Sequence, residues 1–297
     1  PVSKNPDNDT YYIEGTSWHN RQVLGDNVLQ KWKRTMSTTS YMIEVMNKRI
    51  RQLGSLFYPS LTDKHWYMDG YNYSHIDTLG FELQDKPQDC RWDNDRVDDL
   101  PIHISHDWGA FNAITIDQYI RAKNEVRFIN AMHVTHPKII DDLANEFADY
   151  YQYHGNKTIY QWGDKSGAKR EGNAKLSNFD QFADILRNHK HKWTVIRMKV
   201  GDIGHLERHN FINKLHRQQD SRLPRITHNV NRCSDLRIAL ESAGMRNEKK
   251  DKRSERDPKI KQEHATHLTD AYDYRLFHGY HKLISKANYQ SPVSFSG

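Results

Sequence analysis

Apolar and polar residues change their spacing along this chain, and each change marks an element. In residues 30–53, Met42, Val45, Met46, Ile50 and Leu53 fall at the intervals of a helix with one apolar face, with Thr39 or Ser40 as its cap. Ile102 and Ile104 then alternate with His103 and Ser105, the period of a strand. Gly109 marks a turn, residues 112–116 start a second strand, and 125–134 (EVRFINAMHV) read as a third. An antiparallel run of these three is the economical assembly. Residues 136–154 predict a helix with Ile139, Ile140, Leu143, Phe147 and Tyr150 on one face and Pro137 in its first turn. Beyond it come a strand at 157–164, a helix at 178–190 behind a Ser177 cap, a strand at 192–199 and a helix at 205–218. A strand at 225–230, a helix at 233–244 capped by Ser234 and closed by Gly244, and a last helix at 264–282 complete the order. Three strands followed by alternating helix and strand predict an α/β domain with a mixed sheet.

Residues 84–100 (QDKPQDCRWDNDRVDDL) are polar and acidic, with Pro87 and Pro101 as punctuation, which predicts an exposed connection into a new unit. Apolar residues make up 36% of the 297, yet 7 Trp, 16 Tyr and 10 Phe supply side chains large enough for a core. No apolar run approaches a membrane span, and the opening PVSKNPDNDT lacks the pattern of a signal peptide. Two cysteines, Cys90 and Cys233, exclude a disulfide framework and a cysteine-built zinc site, so a reducing, intracellular compartment is expected. Chemistry is left to oxygen and imidazole. The net charge of +6 permits a polyanionic partner. Residues 246–261 (RNEKKDKRSERDPKIK) hold eight basic and four acidic residues: either a solvated mobile loop or one that tracks a nucleic-acid strand.

Three aspartates stand at special places. Asp107 ends the first strand of the α/β unit, Asp164 ends the strand KTIYQWGD, and Asp270 lies on the final helix. Singly, an aspartate at a strand end serves as a cap for nearby backbone N–H groups. Together, such carboxylates converge at the carboxyl ends of the strands, as an all-oxygen cluster suited to Mg²⁺ or Mn²⁺. Paired metal ions suit in-line displacement at phosphorus. On the last helix each step of three residues turns the face by about 60°. His264 and Asp273 therefore cannot share a site, Asp270 is the central ligand, and His267 stands beside it to move a proton or orient a water, unless it is simply an exposed or core histidine. Asp273 reads as a supporting or surface carboxylate. GxxxxGK[ST], HExxH, GxSxG and GxGxxG motifs are all missing, so no ATP site and no serine or cysteine nucleophile is indicated.

HISHDWGA at 103–110, TIYQWGDKSG at 158–167 and HLTDAYDY at 267–274 resemble the three acidic motifs of the terminase large subunit nuclease domain of tailed bacteriophages and prophages. A weaker resemblance covers SYMIEVMNKRI and LFYPSLTDKH, within residues 40–65, to the segment joining that family's ATPase to its nuclease. The resemblance implies an RNase H-like mixed central sheet flanked by helices, with a helical N-terminal extension. It implies an extension or linker at 1–97, a nuclease domain at 98–284 and a loose tail at 285–297. Asp107, Asp164 and Asp270 match the family's metal-binding aspartates, and His267 the histidine that some members place three residues before the last of them. By resemblance they hold two Mg²⁺ or Mn²⁺ ions and cleave duplex DNA concatemers during genome packaging. Partners would be double-stranded DNA and packaging-motor proteins (portal, small terminase subunit, an ATPase domain), in the cytoplasm of a bacterial host. The ATPase motifs are missing from this chain.

The expected gene product is thus a metal-dependent DNA endonuclease in which Lys165, Lys249, Lys250, Lys252 and Arg253 contact the DNA backbone. Lys165 has a plainer reading as a solvated side chain. Three alternatives stay open: an RNase H-like resolvase or hybrid nuclease, a non-catalytic DNA-binding or docking module of a packaging motor, and a zinc-binding domain built on His264 and His267.

Overall fold

The computed structural model describes residues 2–5, 10–13, 17–35, 45, 56–67, 70–80, 86–109, 111–170 and 175–285. The chain divides into two compact units, Pro1–Leu56 and Phe57–Gly297. The first holds an antiparallel hairpin, β1 (Val2–Asn5) and β2 (Thr10–Ile13), a short helix α1 (Arg21–Leu24) and the helix α2 (Asp26–Thr35). The helix expected at 30–53 overlaps α2, and its remainder lies outside the described residues except Val45. The tail beyond Ser285 also lies outside them.

The second unit is built on a seven-stranded sheet. Its strands are β3 (Trp66–Tyr67), β4 (Ile102–Asp107), β5 (Asn112–Ile120), β6 (Glu125–Val134), β7 (Thr158–Gly163), β8 (Thr194–Arg197) and β9 (Arg225–Asn229). Their order across the sheet is β3-β9-β6-β5-β4-β7-β8. β4, β5 and β6 form the expected antiparallel run; β7 and β8 add in parallel on one side, β9 and β3 on the other. The helices are α3 (Tyr73–Thr78), α4 (Ile140–Tyr150), α5 (Asn178–Asn188), α6 (His205–Arg217), α7 (Ser234–Ser242), α8 (His267–Tyr280) and α9 (Lys282–Ser285). This is the RNase H-like architecture that the resemblance implied: a mixed central sheet with helices on both faces.

Strand alternation sorts the side chains of β4 between those faces. Ile102 and Ile104 join Ile114, Ile116, Leu143, Phe147, Phe182 and Leu186 in a core beneath α4 and α5. His103, Ser105 and Asp107 point the other way, toward α8, which crosses β4, β5 and β7. On that face Leu268, Tyr272 and Leu276 of α8 pack with Phe128, Ile212, Leu215 and Leu236. Each such fully buried apolar side chain contributes about 1.5–3 kcal/mol. The buried pair Asp117–Arg275 ties β5 to α8 through two hydrogen bonds of 2.8 and 3.0 Å.

Several expectations need correction. The last helix starts at His267, not 264; His264 sits in a preceding 3-10 turn and bonds Asp235 at 3.1 Å. Pro137 precedes α4 rather than opening it. The acidic stretch before β4 is no exposed connection. Cys90, Trp92, Asp93 and Asp95 are buried, because Arg232 pairs with Asp93 and both Tyr67 and Asn229 donate to Asp95. The charged stretch 246–261 is ordered. It opens with a hairpin, β10 (Met245–Arg246) and β11 (Lys249–Lys250), turned by Asn247 and Glu248, both at positive φ. Such turns favour glycine at the second position, and Glu248 gave no sign of it.

Candidate functional site

β4 ends at Asp107 and β7 ends one residue before Asp164. The two strands are parallel neighbours, with His106 beside Gly163. Their carboxylates therefore leave the sheet at adjacent places. Two glycines make this approach possible. Gly163 has φ +154°, and a Cβ there would lie 2.9 Å from the His106 carbonyl oxygen. A Cβ on Gly167 would lie 2.0 Å from Nε1 of Trp108, the residue after Asp107. The Gly-Asp-x-Ser-Gly pattern thus has a packing cause at both glycines. Ser166 Oγ donates to Asp164 Oδ2 at 2.5 Å.

α8 supplies the other members. His267, its first residue, places Nδ1 2.9 Å from Asp107 Oδ2 and Nε2 3.2 Å from Gln262 Oε1. Burial pushes Asp107 up to about 6; the His267 hydrogen bond works against that, and the charge of Asp270 adds to it. Burial disfavours charge on His267, but the bond to Asp107 outweighs it and raises the imidazole above its ordinary value. Two turns on, Tyr274 is raised by burial and by the charges of Asp270, Asp107 and Asp164.

Asp270 is not an open ligand. It is fully buried, with Oδ1 3.0 Å from Arg208 Nη1 and 2.7 Å from Lys250 Nζ, and Oδ2 2.7 Å from Lys252 Nζ. Burial alone would raise its pKa; Lys250, Lys252 and Arg208 hold it well below the usual carboxylate range. Asp273 is buried beside it, bound by Lys250 at 2.7 Å and by the Tyr58 hydroxyl at 2.8 Å, with Arg208 at 3.6 Å. Asp273 is therefore the inner partner of an ion cluster, not a surface carboxylate. Lys252 also reaches Glu255 Oε1 at 3.1 Å, and Glu255 accepts from Thr266.

The expected DNA contacts divide. Lys250 cannot reach a phosphate: its side chain is fully buried, and Thr269, Asp270 and Asp273 take its protons. The two carboxylates of α8 drew it inward. Lys165 is exposed and pairs with Asp202 at 2.8 Å. Lys249 is exposed, Lys252 is half-exposed over Asp270, and Arg253 is exposed with its guanidinium on Asp251. Arg208, Glu255 and Tyr58 were not foreseen; Arg208 and Tyr58 reach the cluster from elements distant in sequence, and Glu255 joins it from the charged stretch itself, three residues after Lys252.

Among the described residues, no group of three or more His, Cys, Asp or Glu side chains stands ready as a metal cage. The donor chemistry still suits a hard cation. Asp107 and Asp164 are carboxylates at adjacent strand ends, and an ammonium, that of Lys252, already rests on Asp270 beside them. Asp107 and Asp164 fit such an ion; both oxygens of Asp270 are already engaged by the chain's own cations.

No protein-family profile and no curated protein sequence matches the chain. Among solved structures it is similar to the large terminase of a thermophilic bacteriophage, at 13% identity over 87% of this chain and 52% of that one, TM-score 0.44. It is also similar to the nuclease domain of the bacteriophage SPP1 large terminase with bound Mn, at 14% identity over 74% and 96% of the two chains, TM-score 0.39. For the P22 large terminase nuclease domain the values are 13%, 62%, 84% and 0.42. The chain spans about half the length of the thermophilic phage protein. With TM-scores this low, the assignment of the fold rests on the chain's own strand order. No helix among the described residues is long and apolar enough to cross a membrane.

Proposed function

We propose that this chain is a divalent-metal-dependent DNA endonuclease that hydrolyses phosphodiester bonds. The observation that carries the reading is the hydrogen bond from His267 on α8 to Asp107 at the end of β4, beside the end of the parallel strand β7 that leads into Asp164. The packing need for Gly163 and Gly167 supports it, since it accounts for the motif around Asp164 by the placement of that carboxylate.

Asp107 and Asp164 are the residues that would hold the ion. Such an ion would supply Lewis-acid chemistry, a more acidic water and positive charge opposite the phosphate. His267 holds Asp107 in one orientation, and Gln262 Oε1 holds the imidazole in turn through Nε2. Lys249, Arg253 and Lys165 lie on the surface as sequence-blind contacts for the DNA backbone. Cleavage of concatemers during viral genome packaging, with a separate motor and portal, is the setting that the motif resemblance suggests.

The test is supercoiled plasmid incubated with the chain in Mn²⁺, Mg²⁺, Zn²⁺ or EDTA, beside Asp164→Asn. Nicking that requires Mn²⁺ or Mg²⁺ and disappears in the variant supports the nuclease. Salt-sensitive DNA binding with no cleavage by either protein would overturn it in favour of a docking module. Preferential cleavage of branched over linear duplex would move the substrate to that of a resolvase.

A further inference from the structure

We infer that Lys252 supplies one of the two positive centres of this site, so that the chain takes one divalent ion rather than two. The inference rests on the nuclease reading above and refines it.

Lys252 leaves the end of the β10–β11 hairpin and lays Nζ 2.7 Å from Asp270 Oδ2 and 3.1 Å from Glu255 Oε1. It also lies within electrostatic reach of Asp107. An ammonium among three carboxylates occupies the kind of place that a second metal ion would take. The inner part of the cluster does not need it. Asp270 and Asp273 are already matched by Lys250 and Arg208, all four buried. Lys252 is therefore the surplus cation on the solvent side, with 44% of its side chain exposed.

Electrostatics point the same way. A second divalent ion would stand against the Lys252 ammonium that already lies on Asp270 Oδ2, a like-charge contact in a half-buried place. If Lys252 loses its charge, Asp270 Oδ2 is freed, which makes room for a second ion.

The test counts Mn²⁺ bound to the whole chain by calorimetric titration and by the loss of the free-ion electron paramagnetic resonance signal. The wild-type chain is expected to bind one Mn²⁺, Lys252→Met two, and Lys252→Arg one. Circular dichroism checks that each variant is folded, and the arginine variant keeps the comparison valid should the methionine variant unfold. Two ions on the wild-type chain, or one on a folded Lys252→Met, overturns the inference and leaves the nuclease reading standing. No Mn²⁺ on any of the three overturns the metal-dependent reading, and this inference falls with it.

Discussion

Asp107 Oδ2 and His267 Nδ1 lie 2.9 Å apart although the residues are separated by 160 positions in the chain. The bond joins the carboxyl end of β4 to the first turn of α8 and so links the two halves of the proposed site. Partners that orient a ligand in this way commonly contribute 10- to 100-fold in affinity or activity. His267→Ala is therefore expected to slow plasmid nicking by roughly that factor and to weaken Mn²⁺ binding in parallel, as measured by initial rates and titration. Unchanged values for both would remove His267 from the site.

Gly167 faces the ring of Trp108 with no room for a methyl group. Gly167→Ala must push that ring aside and with it the backbone beside Asp107. Overpacking of this kind costs roughly 1–3 kcal/mol. Urea unfolding should show that loss, with a shift in tryptophan emission in the folded state. A variant with wild-type stability and emission would mean that the ring has somewhere else to go.

Lys250 and Lys249 are adjacent but should behave as opposites. Lys250→Met removes the cation shared by two buried carboxylates, and breaking a buried pair costs roughly 3–5 kcal/mol. Lys249→Ala touches an exposed side chain and should stay within about 0.5 kcal/mol of wild type. If Lys249 contacts DNA, its loss lowers the salt slope of binding by about one. Equal stability of the two variants would contradict the buried placement of Lys250.

His154 gives a pH test whose sign follows from its partners. Arg96 Nη1 donates to its Nδ1 at 3.0 Å, and its Nε2 donates to the Leu100 carbonyl at 2.9 Å, so the ring is held neutral. Burial lowers it from the ordinary value of 6.5 to about 4. Between those values the unfolded chain binds a proton that the folded chain refuses, so stability falls as pH falls through that window. The loss is roughly 1.4 kcal/mol per pH unit. Buried carboxylates raised to about 6, Asp93 and Asp117 among them, oppose this in the whole protein, so the comparison is with His154→Gln. Urea midpoints from pH 6.5 to 4 should fall more steeply for the wild-type chain. Parallel slopes would show that His154 titrates normally.

Much of the architecture could be read from residue spacing. The alternation at Ile102 and Ile104, the helical face of Leu143 and Phe147, and the ordered aspartates at strand ends and on the last helix all reflect local periods. Each period records which side of one element is buried, and a strand that ends in a carboxylate beside another places both at one edge of the sheet. Burial of Lys250, the reach of Arg208 to Asp270 across 62 positions, and the entry of Glu255 into the cluster left no such trace. The stretch 246–261 is rich in charge, and charge by itself says solvent. Only the meeting of α6, α8 and the β10–β11 hairpin decided that some of those charges are neutralised inside the protein. A buried carboxylate takes whichever cation the fold brings within reach, and that is a property of elements meeting in space rather than of spacing along the chain.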